Sequence, residues 1–190
     1  MGWSSLTGRL VVATPMLGDP NFDRTVVLLI EHGPEGALGV VLNRPGSMDV
    51  VEALPEWGDL AAEPAVLFSG GPVQGNFLVG LGEVADSPAL PTPEDDSWRP
   101  LIGAVGTVNL GQAPDAGDAR LRRVRLFAGY AGWGAGQLEE EIEAKAWFVV
   151  EALPNDALTA EPGELWSDVL RRQRGDLRLL ARYPENPASN

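Results

Sequence analysis

Four glycines within residues 129–136, Gly129, Gly132, Gly134 and Gly136, with Tyr130 and Trp133 set between them, constrain this chain more than any other feature. Glycine opens backbone conformations closed to other residues and loses more entropy on folding, whereas Tyr and Trp bring large, rigid packing surface. An ordinary connecting loop does not need both. The surrounding stretch, Leu126 to Val150, predicts a strand, a glycine turn, a short helix and a second strand. The Gly-x-Gly-x-Gly spacing predicts that Gly132 or Gly134 has a positive φ.

Other elements follow from apolar runs and their breakers. Arg9 to Ala13 is a short strand closed by Thr14-Pro15, because proline removes a ladder donor. Asp19-Pro20-Asn21 is a turn. Thr25–Glu31 and Ala37–Leu42 form a hairpin with a longer loop at 32–36, and their lack of alternation predicts cover on both faces. Asn43-Arg44-Pro45-Gly46 breaks the sheet ahead of a short helix that Ser47 or Asp49 can cap and Pro55 stops. Ala65–Ser69 and Phe77–Leu81 read as a second pair of strands, Ile102–Leu110 as a strand interrupted by Gly103 and Gly106, and 84–100 as an acidic, proline-rich surface excursion. Pro162 to Gln173 is the clearest helix, with Leu165, Trp166, Val169 and Leu170 on one face and Gly175 past its end. Residues 1–183 are expected to form one domain and 184–190 a poorly ordered tail.

At 190 residues and 44% hydrophobic content the chain can bury a core without staples. With no cysteine, disulfides and thiolate metal sites are excluded, and a reducing cytoplasm is the expected compartment. The longest aliphatic run, Val26 to Ile30, falls far short of the roughly 20 residues of a membrane span. Fourteen Lys and Arg against 27 Asp and Glu give a formal charge of −13, so no direct nucleic-acid binding and no membrane partner are expected. The densest basic cluster, Arg120, Arg122, Arg123 and Arg125, alternates with Leu121, Val124 and Leu126 and reads as one strand with solvated arginines.

Catalytic signatures are weak. Gly132 to Gln137 follows a strand and opens a helix, as a phosphate loop does, but Gln137 stands at the third glycine position and Glu139, Glu140 and Glu141 would repel a pyrophosphate. A structural turn is the better reading, and no cofactor is expected. His32 is the only imidazole, so the hydrolase alternative pairs it with Asp19 or Asp23, and with Ser69 as the imaginable nucleophile. No second histidine and no recognised carboxylate spacing point to a metal, so no catalytic or metal residue is assigned.

Four segments taken in order resemble the AlgH/YqgE family of bacterial proteins: Gly8 to Asn43, Gly70-Gly71-Pro72-Val73, Gly129 to Glu141, and the tryptophans at Ala146-Trp147 and Leu165-Trp166. The chain departs from the family after Val73, where Gln74-Gly75-Asn76-Phe77-Leu78-Val79-Gly80 replaces a basic residue and a run ending in histidine. The resemblance implies a single α+β domain of coiled, partly split, mainly antiparallel β-sheets flanked by a few helices. It also implies a regulatory or binding role without established catalysis.

The expected working surface is therefore a cluster of turn residues spared core duty: Asp19, Asn21, Phe22, Asn43, Arg44, Tyr130, Trp133 and Gln137. A monomer binding a small polar ligand or another protein is expected. The Asp19–Arg24 loop and the Tyr130–Gln137 turn are expected side by side, with Trp133 partly exposed over a concave pocket.

Overall fold

A computed structural model describes residues 4–85, 97–114 and 121–183. Expectations that fall on residues 86–96, 115–120 and 184–190, including most of the acidic excursion, Arg120 and the tail, lie outside the described residues.

The strand β9 (Leu121–Gly134) is the trunk of the molecule. It runs straight through the glycine-rich stretch, and only Gly136 remains to turn into α2 (Gln137–Glu143). On its amino-terminal half β9 pairs antiparallel with β6 (Val73–Val84) and in parallel with β5 (Val66–Ser69). On its carboxy-terminal half it pairs with β3 (Gly36–Val41). Two lobes of one ten-stranded, curled sheet thus share this strand. The first lobe continues from β3 through β2 (Val26–Gly33) and β1 (Arg9–Ala13) to β10 (Trp147–Glu151), and the second from β6 through β8 (Val105–Val108) to β7 (Trp98–Ile102). The class is α+β and mainly antiparallel, as the resemblance implied.

Several local expectations are corrected. The hairpin of β2 and β3 is tight, because Gly33 pairs with Gly36 and only Pro34 and Glu35 lie between. Asn43 to Gly46 does not break the sheet, since Pro45 opens β4 (Pro45–Asp49), which pairs with β5. Asp49 stands at the N-cap of α1 (Val50–Ala53) without a side-chain cap bond, and Pro55 starts a 3₁₀ turn. The segments 65–69 and 77–81 are not partners; both pair with β9 instead. Ile102 to Leu110 is split between β7 and β8, with Gly103 (φ +55) in the turn. Pro100 sits in β7, the terminal strand of the sheet path, where a missing donor leaves no ladder bond unmade.

The glycine expectation also changes. Neither Gly132 nor Gly134 has a positive φ; Gly129 (φ +74) and Gly136 (φ +75) do. At Gly129 the reason is a crossing: a Cβ there would lie 2.7 Å from the Gly71 carbonyl and 2.9 Å from that of Val73. Opposite this point β6 shifts register between Val73 and Leu78, so Gln74 to Phe77 are extruded as a wide bulge. Its Phe77 is 52% exposed and meets the Tyr130 ring edge-on at 6.1 Å.

The core divides because the sheet curls. Val26 and Leu28 face one cluster with Leu10, Phe68, Phe127 and the helix α4 (Leu165–Arg171); Val27 and Leu29 face another with Ala131, Trp133, Leu138 and Trp147. Both faces of β2 are therefore covered, which is why its apolar run does not alternate; each such side chain fully buried contributes ~1.5–3 kcal/mol. A third cluster gathers Val50, Trp57, Val124 and Leu126. Curling brings the far strand back: Cβ atoms on Gly8 and Gly103 would lie 3.0 Å from Leu101 O and Pro154 Cγ.

Arg125 corrects the solvated-arginine reading. It is 2% exposed, its guanidinium lies 4.3 Å over the Phe68 ring, and it donates to the carbonyls of Glu63 (2.6 Å), Thr159 (2.8 Å) and Ala157 (3.4 Å). Burial, and then the neighbouring Arg123 charge, push its pKa down to about 10. The folded chain therefore binds fewer protons here than the unfolded chain above about pH 10, and this arginine's burial penalty is relieved only in that alkaline window.

Candidate functional site

The loop between β1 and β2 is built by its own polar side chains. Thr14 Oγ1 donates to Lys145 O at 2.8 Å and accepts from Met16 N at 3.2 Å, tying the loop to the end of α2. Asp19 Oδ1 accepts from Asn21 N at 2.9 Å, a local bond that bends the backbone as Asp-Pro-Asn predicts. Thr25 closes the loop by donating both its N–H and its hydroxyl to Phe22 O.

Phe22 carries the loop to the glycine-rich strand. Its ring packs on Trp133 with centroids 6.4 Å apart and edge-on to Trp147 at 5.4 Å, and the two tryptophans meet at 5.8 Å. Both indole N–H groups donate to Glu141 Oε2, at 2.9 Å from Trp133 and 2.7 Å from Trp147. Gln137 donates to Glu141 Oε1 at 2.9 Å while its own oxygen accepts from Gly134 N at 3.0 Å. Trp133 is 7% exposed, so the expectation of a partly exposed ring over a pocket is corrected: its ring is in the core and its one donor is used.

Asn43 holds the other end of the loop. Its Oδ1 accepts from Val26 N at 2.9 Å and its Nδ2 donates to Arg24 O at 2.8 Å, keeping Arg24 at φ +52, a left-handed conformation that side chains adopt at a cost. The Arg24 guanidinium lies 4.4 Å over the Trp166 ring and donates to Tyr183 O, and Trp166 Nε1 donates to Ala13 O at 2.9 Å. Arg44 reaches back to donate to Asp23 O at 2.9 Å.

The eight expected residues thus fall into three groups. Asp19, Asn21, Phe22, Trp133 and Gln137 belong to the loop and the aromatic cluster, and Asn43 and Arg44 hold the loop's far end. Tyr130 lies elsewhere: it packs toward the α4 side of the sheet, opposite to Ala131 and Trp133, because side chains alternate along a strand. Glu141, Trp147, Arg24 and Trp166 were not singled out as site residues. The two buried indoles of Trp133 and Trp147 each need an acceptor, and Glu141 supplies it to both, a pairing that only the fold reveals.

His32 sits near the far end of β2 (Val26–Gly33), whereas Asp19 and Asp23 lie in the loop that precedes that strand. Its Nδ1 accepts from Leu6 N at 2.9 Å, so Nε2 carries the proton of the neutral ring and donates to Glu139 Oε1 at 2.8 Å. This arrangement ties the segment before β1 and the helix α2 to β2. Ser69 has no imidazole beside it. Among the described residues no group of three or more His, Asp or Glu is placed to hold a metal ion. Nor is the turn into α2 a phosphate loop: β9 and β10 are separated in the sheet by β3, β2 and β1, so they are not the neighbouring parallel strands of a nucleotide-binding unit. No described helix is long and apolar enough to cross a membrane.

Residues 10–178 match the model of the AlgH-like family. A UPF0301 protein of Streptomyces coelicolor is 51% identical over 190 residues, covering 98% of this chain and 96% of that protein. A UPF0301 protein of Thermobifida fusca is 47% identical over 200 residues, with 98% and 96% covered. Among solved structures, a Corynebacterium diphtheriae protein superposes with a TM-score of 0.87 at 34% identity, covering 96% of this chain and 94% of that one. The solution structure of the AlgH protein from Pseudomonas aeruginosa gives a TM-score of 0.65 at 29% identity, with 98% and 100% covered.

Proposed function

The chain belongs to the AlgH-like family, and from that premise we propose that it is a cytoplasmic binding module with a regulatory task and no catalysis of its own. Its working surface is the end of the domain where the Asp19–Arg24 loop meets Asn43 and Arg44, and it takes a small polar ligand or a protein partner. One observation carries this reading. Arg24 is held in a left-handed backbone conformation by a dedicated side chain, Asn43, in a loop whose Asn21 and Asp23 are exposed. Strain of this kind persists where the surrounding structure over-determines it, and it clusters at ligand-binding positions. Against a hydrolase stands the engagement of both His32 nitrogens, since a general base needs a free lone pair within reach of the proton it removes.

His32→Gln separates the two readings. In a thermal-shift screen of nucleotides and metabolites, a ligand at 100 times its Kd adds ~2.7 kcal/mol of stability. The expected outcome is that such a ligand raises Tm by the same increment in the wild type and in His32→Gln, measured from each protein's own baseline. A hydrolytic turnover that falls about a hundredfold in His32→Gln would overturn the binding reading.

A further inference from the structure

We propose that the free edge of β10 (Trp147–Glu151) is a docking edge for an extended, basic segment of a protein partner, which pairs with it and adds a strand to the sheet. This is a second surface, and it does not depend on the loop being a ligand site.

The ladder with β1 fixes which backbone groups of β10 face outward. In an antiparallel pair the N–H and C=O of one residue point to the same side, and successive residues alternate. Ala13 donates its N–H to Thr25 O at 3.0 Å, toward β2, and Thr14 donates to Ala146 O at 3.0 Å, toward β10. With Val12 opposite Phe148 and Leu10 opposite Val150, it is Phe148 and Val150 that bond to β1. Trp147, Val149 and Glu151 point the other way. The Glu151 carbonyl is met on that outer side by Arg172, whose Nη2 donates to it at 3.1 Å. Because β10 pairs with β1 alone, the N–H and C=O of Val149 and the N–H of Glu151 have no ladder partner among the described residues.

The other edges of the sheet are guarded, and this one is not. β4 carries Pro45 and loses register between Pro45 and Asp49, and β7 carries Pro100 and loses register between Pro100 and Ile102. Proline and bulges are devices that keep edge strands from pairing with other chains. β10, with the sequence WFVVE, has neither, and its register with β1 is unbroken over all 5 residues. Unpaired donors and acceptors at a two-residue spacing are satisfied together by another extended chain.

The side chains define the occupant. Val149 packs against the second core cluster but stays half-buried. Glu151 lies two residues on and so on the same face; it is exposed and makes no ion pair among the described residues. An antiparallel segment with an apolar residue opposite Val149 and Lys or Arg opposite Glu151 fits both positions, because directly opposed side chains on one face interact. The net charge of −13 attracts such a segment and repels a second copy of the chain.

The test is ¹⁵N NMR with hydrogen exchange on the full chain, titrated with the capped peptide Thr-Arg-Thr-Val-Thr-Val-Thr. Its first valine opposes Val149 when its arginine opposes Glu151. The expected result is a saturable shift and slowed exchange of the Val149 and Glu151 amides, with exchange at Phe148 and Val150, already bonded to β1, unchanged. Proline in place of that first valine removes the donor to Val149 O at the same charge and should abolish the effect. Glu151→Gln should weaken binding about two- to fivefold, while Glu35→Gln, an equal change of charge at an exposed turn, should not. No saturable shift at those two amides overturns the docking edge. Equal binding of the proline peptide reduces it to charge attraction and overturns it as well. If the Val149 and Glu151 amides become protected as the protein is concentrated without peptide, the edge pairs with a second copy and the assigned partner is wrong.

Discussion

Gly129 shows how one residue sets a crossing. Its positive φ and the 2.7 Å that a Cβ would leave to the Gly71 carbonyl act together, whereas Gly134 has an ordinary backbone and would meet nothing closer than Gln137 Oε1 at 3.9 Å. The two positions look alike in sequence and differ in what they touch. Gly129→Ala is expected to cost about 2 kcal/mol or more, from the left-handed φ and the displaced backbone together. That corresponds to a Tm lower by roughly 4–8 °C in a protein of this size. Gly134→Ala should leave Tm within about two degrees, since a surface change away from special backbone is usually within ±0.5 kcal/mol. Differential scanning calorimetry of the two variants checks both, and equal losses would count against this account of the crossing.

At the scale of elements, α2 is too short at 7 residues to be stable alone, and its anchor is polar. Leu138 packs into the second core cluster, but Glu141 accepts from both Trp133 and Trp147 and from Gln137, and Glu139 meets His32. Removing the Glu141 carboxylate leaves two buried indole donors without an acceptor, and each unsatisfied buried group costs about 1–3 kcal/mol. Glu141→Ala should therefore lower stability in urea unfolding by about 2 kcal/mol or more. Glu141→Gln, which keeps one acceptor oxygen, should lose less. A change in tryptophan fluorescence in both variants, absent when Trp133 and Trp147 are replaced by Phe, would locate the effect at that pair among the six tryptophans. If Glu141→Ala unfolds at the wild-type urea concentration, the anchor is elsewhere.

For the whole molecule, the net charge of −13 is the dominant long-range property, and the arginine cluster does not offset it locally. Arg125 is buried on backbone carbonyls and Arg123 is paired with Glu83, so β9 does not present the alternate arginines as a phosphate-binding row. The chain is expected to bind duplex DNA no better than a generic acidic protein at physiological salt. A gel-shift titration checks this, and a submicromolar, salt-sensitive complex would contradict it.

The sequence by itself determined the elements whose signals are local. The apolar runs of β1, β2 and β3, the buried face Leu165, Trp166, Val169 and Leu170, and the turn at Asp19-Pro20-Asn21 are written in periodicity and turn chemistry, which act over a few residues. The motif set also carried the family. Tertiary structure decided what depends on partners distant in the chain. Only the pairing of β9 with β3, β5 and β6 shows that the glycines serve a long strand and not a turn, and that Gly129 is the position with no room for a Cβ. Only the fold puts Tyr130 and Trp133 on opposite faces, buries Arg125, occupies His32, and ties Asn43 and Arg44 to the backbone of Arg24 and Asp23. The physical reason is that a side chain's exposure and hydrogen-bond partners are properties of contacts made across the curled sheet, and residues 21 or 131 positions apart carry no local pattern announcing that they will meet.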